Sequence, residues 1–489
     1  MMLAALAERA GLRIAGSGDA AVTGFAIDHR KVAPGTVFGA FEGTKVNGEN
    51  FIPAAIAAGA VAVVARPEAQ VSGAVHIADA APRRAFARLA AQFFAPVPAT
   101  IVAVTGTNGK TSVVEMTRQL WRMAGHSAAS IGTLGVTSGN DTAATGLTTP
   151  DIVTFLSNAS GLAREGVTHL AYEASSHGLA QYRNEGIPVA AGAFTNLSRD
   201  HLDYHATMED YFTAKMRLFN EVVADQGTAV IWADDGWSGR AIAQATKRGL
   251  RLMTVGEAGT AIRLVSRVPG QLGQTLEIEQ EGKAIKVNLP LIGAYQAANC
   301  LIAAGLVLAA GGDPAATFDA LSRLQPVRGR LERAAISVSG APIYVDYAHT
   351  ADALEAAIAA LRPHAKGRII TVFGAGGDRD QGKRPEMGRA AVAHADLVIV
   401  TDDNPRGEDA GEIRAMVLAG APGAREIAGR REAIAAAIND AGKHDIVLIA
   451  GKGHEQGQIV GRGEAMRILA FDDVAVAREC TAASGKELA

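Results

Sequence analysis

The stretch TIVAVTGTNGKTSVVEMTRQL, Thr100 to Leu120, constrains this chain more than any other. An apolar β-branched run, Ile101–Val104, turns through Gly106 and Gly109, and Lys110, Thr111 and Ser112 then open an amphipathic helical stretch. A strand, loop and helix in this order bring backbone N–H groups and the positive end of a helix against an anion, and glycine permits the close approach. Gly106, Thr107, Asn108 and Gly109 are expected to form the cradle. Lys110 would reach the outer phosphates, and the Thr111 hydroxyl, followed by Ser112, would face Mg²⁺. The general pattern has glycine where Val104 stands, so this is a shorter variant, TGTNGKTS. ATP is the expected ligand, and an α/β fold the expected frame.

At 489 residues the chain exceeds one core and suggests about three domains of roughly 100–200 residues. Lys and Arg number 47 against 50 Asp and Glu, for a net charge of −3. No basic field points to nucleic acid or an anionic membrane, so any phosphate binding has to be local. Cys300 and Cys480 match no metal or redox spacing, which fits a reducing compartment without disulfides. Glu8 and Arg9 follow only a short apolar run, with no basic segment before it. No apolar run approaches the roughly 18 residues of a membrane helix. A soluble cytoplasmic protein is expected.

Prolines in FFAPVPAT and the stretch QPVRGR mark two boundaries and divide the chain into 1–98, 99–327 and 328–489. Short Val/Ile-rich runs alternating with Ala-rich helical stretches indicate parallel α/β layers. Candidate strands are Thr168–Tyr172, Val189–Phe194, Ala229–Trp232, Arg368–Phe373, Leu397–Val400 and Ile446–Ala450. Residues 24–53 read as two short strands flanking a Pro-Gly turn, an ordinary hairpin region followed by a Gly-punctuated loop. In GLTTPD, Thr149 is expected to cap a helix running toward Glu165, with Pro150 in its first turn. HLAYEASSHGL places Glu173 just past a strand, where ligands collect in open α/β sheets and where a carboxylate would suit Mg²⁺. FTNLSRDHLDYHAT crowds Asn196, Asp200, His201 and Asp203 onto one exit loop. Thr207 is expected to cap the next helix, with Asp210 completing a capping box. That helix carries Lys215, which on helix statistics alone reads as a solvated lysine.

TGTNGKTS, LTTP, EASSHGL, TNLSRDHLDYH and YFTAKMRLF, in this order and spacing, resemble the central domain of the Mur ligases, which add amino acids to the peptidoglycan precursor. The resemblance covers nearly the whole chain. Ile27–Arg30 and Gly43–Gly48 resemble the family's uridine-nucleotide loops. RGRLE, VDYAHTADALE, FGAGGDRDQGKRPEMG, DDNPRGED and AGKGHEQGQ resemble the C-terminal domain of its diaminopimelate-adding members. What this implies is a small N-terminal α/β uridine-nucleotide domain, a central phosphate-loop domain with a parallel sheet, and a Rossmann-like C-terminal domain.

The implied activity is ATP-dependent amide ligation, cytoplasmic, in peptidoglycan precursor synthesis. ATP would phosphorylate the D-glutamyl carboxylate of UDP-N-acetylmuramoyl-L-alanyl-D-glutamate, and the amine of meso-diaminopimelate would attack the acyl phosphate. The resemblance assigns Lys110 to the β/γ-phosphates, Thr111 and Glu173 to one Mg²⁺, His201 to a second, and Lys215 to a CO₂-derived carbamate beside it. Asn299, Arg330 and Asp346 join the ATP set, with His349 either there or a satisfied turn residue. Ile27, His29, Thr44, Lys45 and Val46 fall at the uridine end. Thr148, Thr149, Ser175, Gln181 and Arg183 fall around the sugar and peptide. Arg406 would grip the second carboxylate of diaminopimelate, with Asp403, Asn404, Pro405, Arg379, Gly451 and Glu455 completing that pocket. The alternative for Arg406 is a surface loop in which it pairs with Glu408 or Asp409. A monomer acting on small molecules is expected, with no nucleic acid and no membrane insertion.

Several positions depart from the family pattern. His29 stands for a usual Ser, Ala233 and Gln296 for Asn, Ala351 for Pro, and Ala375 for a frequent Cys. A folylpolyglutamate synthase relative would share the phosphate loop, but the uridine-type loops and DNPR argue against it. A phosphate-loop switch protein would have no reason to carry these outer motifs.

Overall fold

The structure, a computed structural model, describes residues 1–14, 18–43, 46–139, 141–201, 204–270, 272–378 and 380–487, with the side chains of 464 and 484–487 set aside. Strands β1 (Gly24–Ala26) and β2 (Thr36–Gly39) pair in parallel, so the expected hairpin is not formed. The Pro34–Gly35 turn lies immediately before β2, with Gly35 at φ +88°. Asp28 caps a single 3₁₀ turn, His29–Lys31, that carries the chain back to the start of the next strand. All four residues of β2 are buried, the condition that favours an interior parallel strand over a hairpin arm. β3 (Ala60–Ala65) and β4 (Val75–Ala78) complete a sheet in the order β1-β2-β3-β4, all parallel.

The chain forms two compact units, residues 1–263 with 301–317, and residues 264–300 with 318–489. In the first, β5 (Thr100–Thr105), β6 (Ala128–Gly132), β7 (Gly135–Ser138), β8 (Asp141–Ala143), β9 (His169–Glu173), β10 (Val189–Phe194), β11 (Val223–Trp232) and β12 (Arg251–Gly256) lie in the order β12-β11-β10-β5-β9-β6-β7-β8. Only β7 and β8 run antiparallel to their neighbours. Thr105 sits beside Phe194 and Val104 beside Glu173, so β5, β9 and β10 end level and their exit loops share one edge of the sheet. Gly305, on the helix Ala294–Ala309, approaches Val230 and Val255 so closely that a Cβ there would stand 2.9 Å and 3.3 Å from their side chains. The missing side chain lets this helix cover β11 and β12.

The chain leaves the first unit within β13 (Ile262–Gly270), after Ile262 and Arg263 have paired with β12. In the second unit β14 (Gly273–Gln280) and β15 (Lys283–Leu289) pair antiparallel. β16 (Glu332–Ile336), β17 (Pro342–Asp346), β18 (Ile369–Phe373), β19 (Leu397–Val400), β20 (Arg425–Glu426) and β21 (Ile446–Ala450) form a sheet in the order β16-β17-β21-β18-β19-β20, parallel except for β16. β17, β18 and β21 are buried throughout between two apolar clusters, as a strand covered on both faces must be.

Two helix starts test the capping expectations. Thr207 accepts from the Asp210 N–H at 3.1 Å and donates to the Asp210 carboxylate at 2.8 Å, opening the helix Met208–Arg217. Thr149, by contrast, caps nothing: Asp151 accepts from the N–H groups of Val153 and Thr154 and starts the helix Ile152–Arg164. A carboxylate immediately before the first helical residue outcompetes a hydroxyl two positions further back, and Pro150 falls outside the helix. Among the described residues, no helix is long and apolar enough to cross a membrane.

Candidate active site

Gly106 and Gly109, at φ +144° and +86°, bend the loop between β5 and the helix Lys110–Met123. A Cβ at Gly106 would collide with Thr195 Oγ1, so the loop can lie against the β10 exit only with glycine there. That exit braces it: Asn196 Oδ1 accepts from Asn108 N at 2.9 Å, and Thr195 Oγ1 donates to Asn108 O at 2.6 Å. Thr107 Oγ1 accepts from Ser198 N at 3.0 Å and meets the Tyr211 hydroxyl at 3.3 Å. Lys110 Nζ donates to the carbonyls of Gly106 and Thr107 at 3.0 and 2.8 Å, and Thr111 and Ser112 are buried in the first helical turn.

Glu173 ends β9 with 2% of its surface exposed. Its carboxylate accepts from Thr133 N at 2.7 Å and Thr133 Oγ1 at 3.3 Å, and no cationic side chain among the described residues pairs with it. A carboxylate this buried, met only by neutral donors, costs several kcal/mol unless a cation joins it. Oxygen donors at the edge of a phosphate loop fit Mg²⁺. A side chain at Gly132 would strike this carboxylate, so glycine keeps its approach open.

His201 has a left-handed backbone, φ +53°, with Nε2 3.5 Å from Asp200 Oδ2 and its ring 5.0 Å from that of His177. Asp203 lies outside the described residues. Lys215 is not the solvated lysine that helix statistics suggest: it is 1% exposed, its amine donates to Gly106 O at 2.7 Å and lies 4.2 Å from the centre of the Tyr211 ring. Burial, reinforced by the charge of Lys110, holds this amine well below its ordinary pKa.

Five residues assigned to sugar and peptide form one network. Thr148 Oγ1 meets Thr133 Oγ1 at 3.1 Å, and Thr149 Oγ1 reaches Glu173 O at 2.8 Å and Ser175 Oγ at 2.9 Å. Arg183 donates to Thr149 O at 2.8 Å and to Gln181 Oε1 at 2.7 Å, and Gln181 Nε2 donates to the Tyr204 hydroxyl at 3.1 Å. In the N-terminal part His29 stacks on Phe51 with centroids 4.4 Å apart, while Ile27 and Val46 are exposed. Thr44 and Lys45 lie outside the described residues.

In the second unit Asn299 Nδ2 donates to Gln296 Oε1 at 3.2 Å and Gln296 Nε2 to Arg330 O at 2.8 Å, so glutamine in place of asparagine is absorbed by a backbone contact. Asp346 accepts from Leu331 N and Ala348 N at 2.7 and 2.9 Å, and burial raises its pKa. His349 Nδ1 meets its neighbour's carbonyl, Tyr347 O, at 2.8 Å. Asn404 Nδ2 donates to Glu455 Oε2 at 2.8 Å, and Gly451, at φ +115°, brings its backbone against Asp403. Arg379 lies outside the described residues.

Arg406 pairs with neither Glu408 nor Asp409, the partners that the surface-loop alternative required. Glu408 is taken by the fully buried Arg384 at 2.8 and 2.9 Å, and Asp409 caps the helix Ala410–Leu418. The Arg406 backbone sits at φ +52° and is pinned to the 457–460 strand through Ile459 O at 3.0 Å. Its guanidinium donates to Gly377 O at 2.9 Å and has no ion pair among the described residues.

Sequence reasoning missed Thr133, Tyr204, Tyr211, Arg384 and Lys452. Lys452 is fully buried and donates to Asn404 Oδ1 at 2.9 Å, 3.6 Å from Glu455. Its place in AGKGHEQGQ was the only signal in the sequence.

Phosphate loop, level strand ends and a second parallel sheet define a nucleotide-binding α/β ligase architecture. Residues 21–94 match the model described as Mur ligase family, catalytic domain, residues 104–307 the Mur ligase middle domain, and residues 329–453 the Mur ligase, glutamate ligase domain. The chain belongs to the Mur ligase family. Among its relatives, the Zymomonas mobilis protein named UDP-N-acetylmuramoyl-L-alanyl-D-glutamate–2,6-diaminopimelate ligase is 63% identical over 461 residues, 94% of this chain and 95% of that one. The Bradyrhizobium diazoefficiens protein of the same name is 53% identical, covering 92% and 93% of the two chains. A solved structure of a ligase bearing that name aligns over 99% of both chains, with 33% identity and a TM-score of 0.75.

Proposed function

We propose that this protein joins meso-diaminopimelate to UDP-N-acetylmuramoyl-L-alanyl-D-glutamate at the expense of ATP, as a monomer in the cytoplasm, during peptidoglycan precursor synthesis. Residues 1–98 would take the uridine end, 99–327 ATP, and 328–489 the amino acid. The observation that carries the amino-acid assignment is Arg406: a guanidinium on a pinned loop, with Glu408 and Asp409 engaged elsewhere. Diaminopimelate differs from lysine by one carboxylate, and guanidinium grips a carboxylate with two parallel hydrogen bonds.

The D-glutamyl carboxylate is a poor electrophile. Transfer of the γ-phosphoryl group of ATP to one of its oxygens makes that oxygen a leaving group. The amine nitrogen then attacks the carbonyl carbon, sheds a proton and expels phosphate, leaving ADP behind. The protein aligns and neutralises charge. Lys110 exchanges loop carbonyls for β/γ-phosphate oxygens. Thr111 and Glu173 would hold one Mg²⁺ and His201 a second, and the metal would supply positive charge to the phosphoryl group. The Lys215 amine, whose pKa burial lowers, would add to CO₂ through a new N–C bond with loss of a proton, and the resulting carboxylate would serve as a further oxygen donor for the second Mg²⁺.

The test is incubation with ATP, Mg²⁺, the nucleotide-dipeptide and one amino acid at a time, following phosphate release and product mass. Phosphate release that requires all three substrates, with product heavier by one diaminopimelate residue, is expected. ATP hydrolysis indifferent to the nucleotide-dipeptide, with no new amide, would overturn the reading in favour of a switch protein.

A further inference from the structure

Two adjacent arginines at the start of the helix Pro82–Phe93 have different surroundings. Arg84 pairs with Glu185 at 2.9 Å and Glu221 at 3.3 Å. Arg83 has no ion pair among the described residues: its Nη2 donates to Glu42 O at 3.1 Å and its guanidinium lies 4.9 Å from the centre of the Phe41 ring. Glu42 bridges to Asn47, and Gly43 N donates to Val46 O at 3.0 Å, so Arg83 touches the base of the 43–48 loop. The same helix packs against the segment around 182–186: Arg84 holds Glu185, and a Cβ at Gly186 would stand 2.5 Å from Ala91 Cβ. There Arg183, bound to Thr149 O and Gln181, also has no ion pair among the described residues, and Asp151 acts on it only through its charge. Arg83 senses Tyr204 and Arg183 electrostatically, and burial lowers the pKa of both arginines. A partly buried guanidinium that has no ion pair among the described residues and feels the charge of a second arginine is costly unless an anion joins it.

The next step rests on the function proposed above. The nucleotide substrate runs from uridine through two phosphates to the sugar and dipeptide. Residues 27, 29 and 44–46 are assigned to uridine, and Thr148, Thr149, Ser175, Gln181 and Arg183 to sugar and peptide. The diphosphate, the most anionic part, has no assigned residue. A chain of net charge −3 has to supply that charge locally. We propose that Arg83, held at the Glu42 carbonyl, binds the diphosphate bridge of the nucleotide substrate.

Calorimetric binding of UDP and of uridine to the full-length protein tests this directly. The wild type should prefer UDP by about tenfold or more, from charge-assisted hydrogen bonds. Arg83→Met should lose most of that preference and Arg83→Lys should fall between. In ligation, Arg83→Met should raise KM for UDP-N-acetylmuramoyl-L-alanyl-D-glutamate about tenfold or more, with KM for ATP and amino acid unchanged. With N-acetylmuramoyl-L-alanyl-D-glutamate lacking UDP, the variant should match the wild type. Equal weakening toward that truncated compound would assign Arg83 to the peptide carboxylates and overturn the proposal, as would an unchanged UDP preference in Arg83→Met. Should Arg83→Met fail to fold, the UDP-to-uridine ratio of Arg83→Lys decides. Absence of ligation by the wild type would overturn the proposed function alone, because UDP and uridine binding still report on Arg83.

Discussion

The Lys215 amine is enclosed with one carbonyl and one aromatic face for company, and its native pKa lies well below the ordinary 10.5. Between that depressed value and 10.5 the unfolded chain keeps a proton that the native chain has released. Stability therefore rises with pH through this window, and the penalty is greatest below it. In buffer free of CO₂ and metal, Lys215→Met should be more stable than the wild type at neutral pH, with the gap closing as pH approaches 10.5. Denaturant titrations at several pH values measure it; a gap independent of pH would refute the buried-amine account. Little of this was legible from YFTAKMRLF, because helical periodicity says which face a lysine occupies and not what covers that face. Glu173 was more legible, since an apolar run announces a strand and a strand announces its end. Its partner Thr133 was not, because that contact joins residues 40 positions apart.

Helix capping separates two hydroxyl-and-acid signals that look alike in one dimension. Asp151→Ala should destabilise the protein by about 1 kcal/mol, the usual worth of an N-cap, measurable by denaturant unfolding. Thr149→Val should leave helix initiation intact and instead break the ties to Glu173 O and Ser175, weakening binding of the nucleotide-dipeptide. Equal effects of the two on stability with no change in binding would contradict this division. Thr207 was readable because its acid follows three residues later in the capping-box order. β10, β19 and β21 begin and end where the apolar runs do. The parallel pairing of β1 and β2 was hidden, since both a hairpin and a crossover begin with a turn, and only burial on both faces distinguishes them.

At the scale of the molecule, the residues proposed for the phosphate loop, the metal and the nucleotide-dipeptide lie in the first unit, and those proposed for the amino acid lie in the second together with Asn299, Arg330 and Asp346 of the proposed ATP set. Defects should divide accordingly. Arg406→Lys should raise KM for meso-diaminopimelate by about tenfold or more, the loss expected when a bidentate charge-assisted contact becomes a single one, while binding of ATP and nucleotide-dipeptide is unchanged. The wild type should accept lysine poorly, and comparable kcat/KM for lysine and meso-diaminopimelate would refute the pocket assignment. That Asn404 and Glu455 meet was legible through the pairing of DNPR with AGKGHEQGQ. The buried cations that order this region were not, because Arg384 and Lys452 look in sequence like any surface-bound basic residue.

The interrupted first unit also has a consequence for synthesis on the ribosome. Val230 and Val255, on β11 and β12, are covered by Gly305 in the part of its helix that belongs to the segment 301–317. Residues 264–300, which belong to the other unit, are translated between the two. The sheet bearing the phosphate loop therefore emerges with an apolar face bare, and waits for a later stretch of chain to close it. A nascent chain stalled near residue 263 is the form most open to chaperone capture and aggregation, and one extended past residue 317 is the first able to complete that layer.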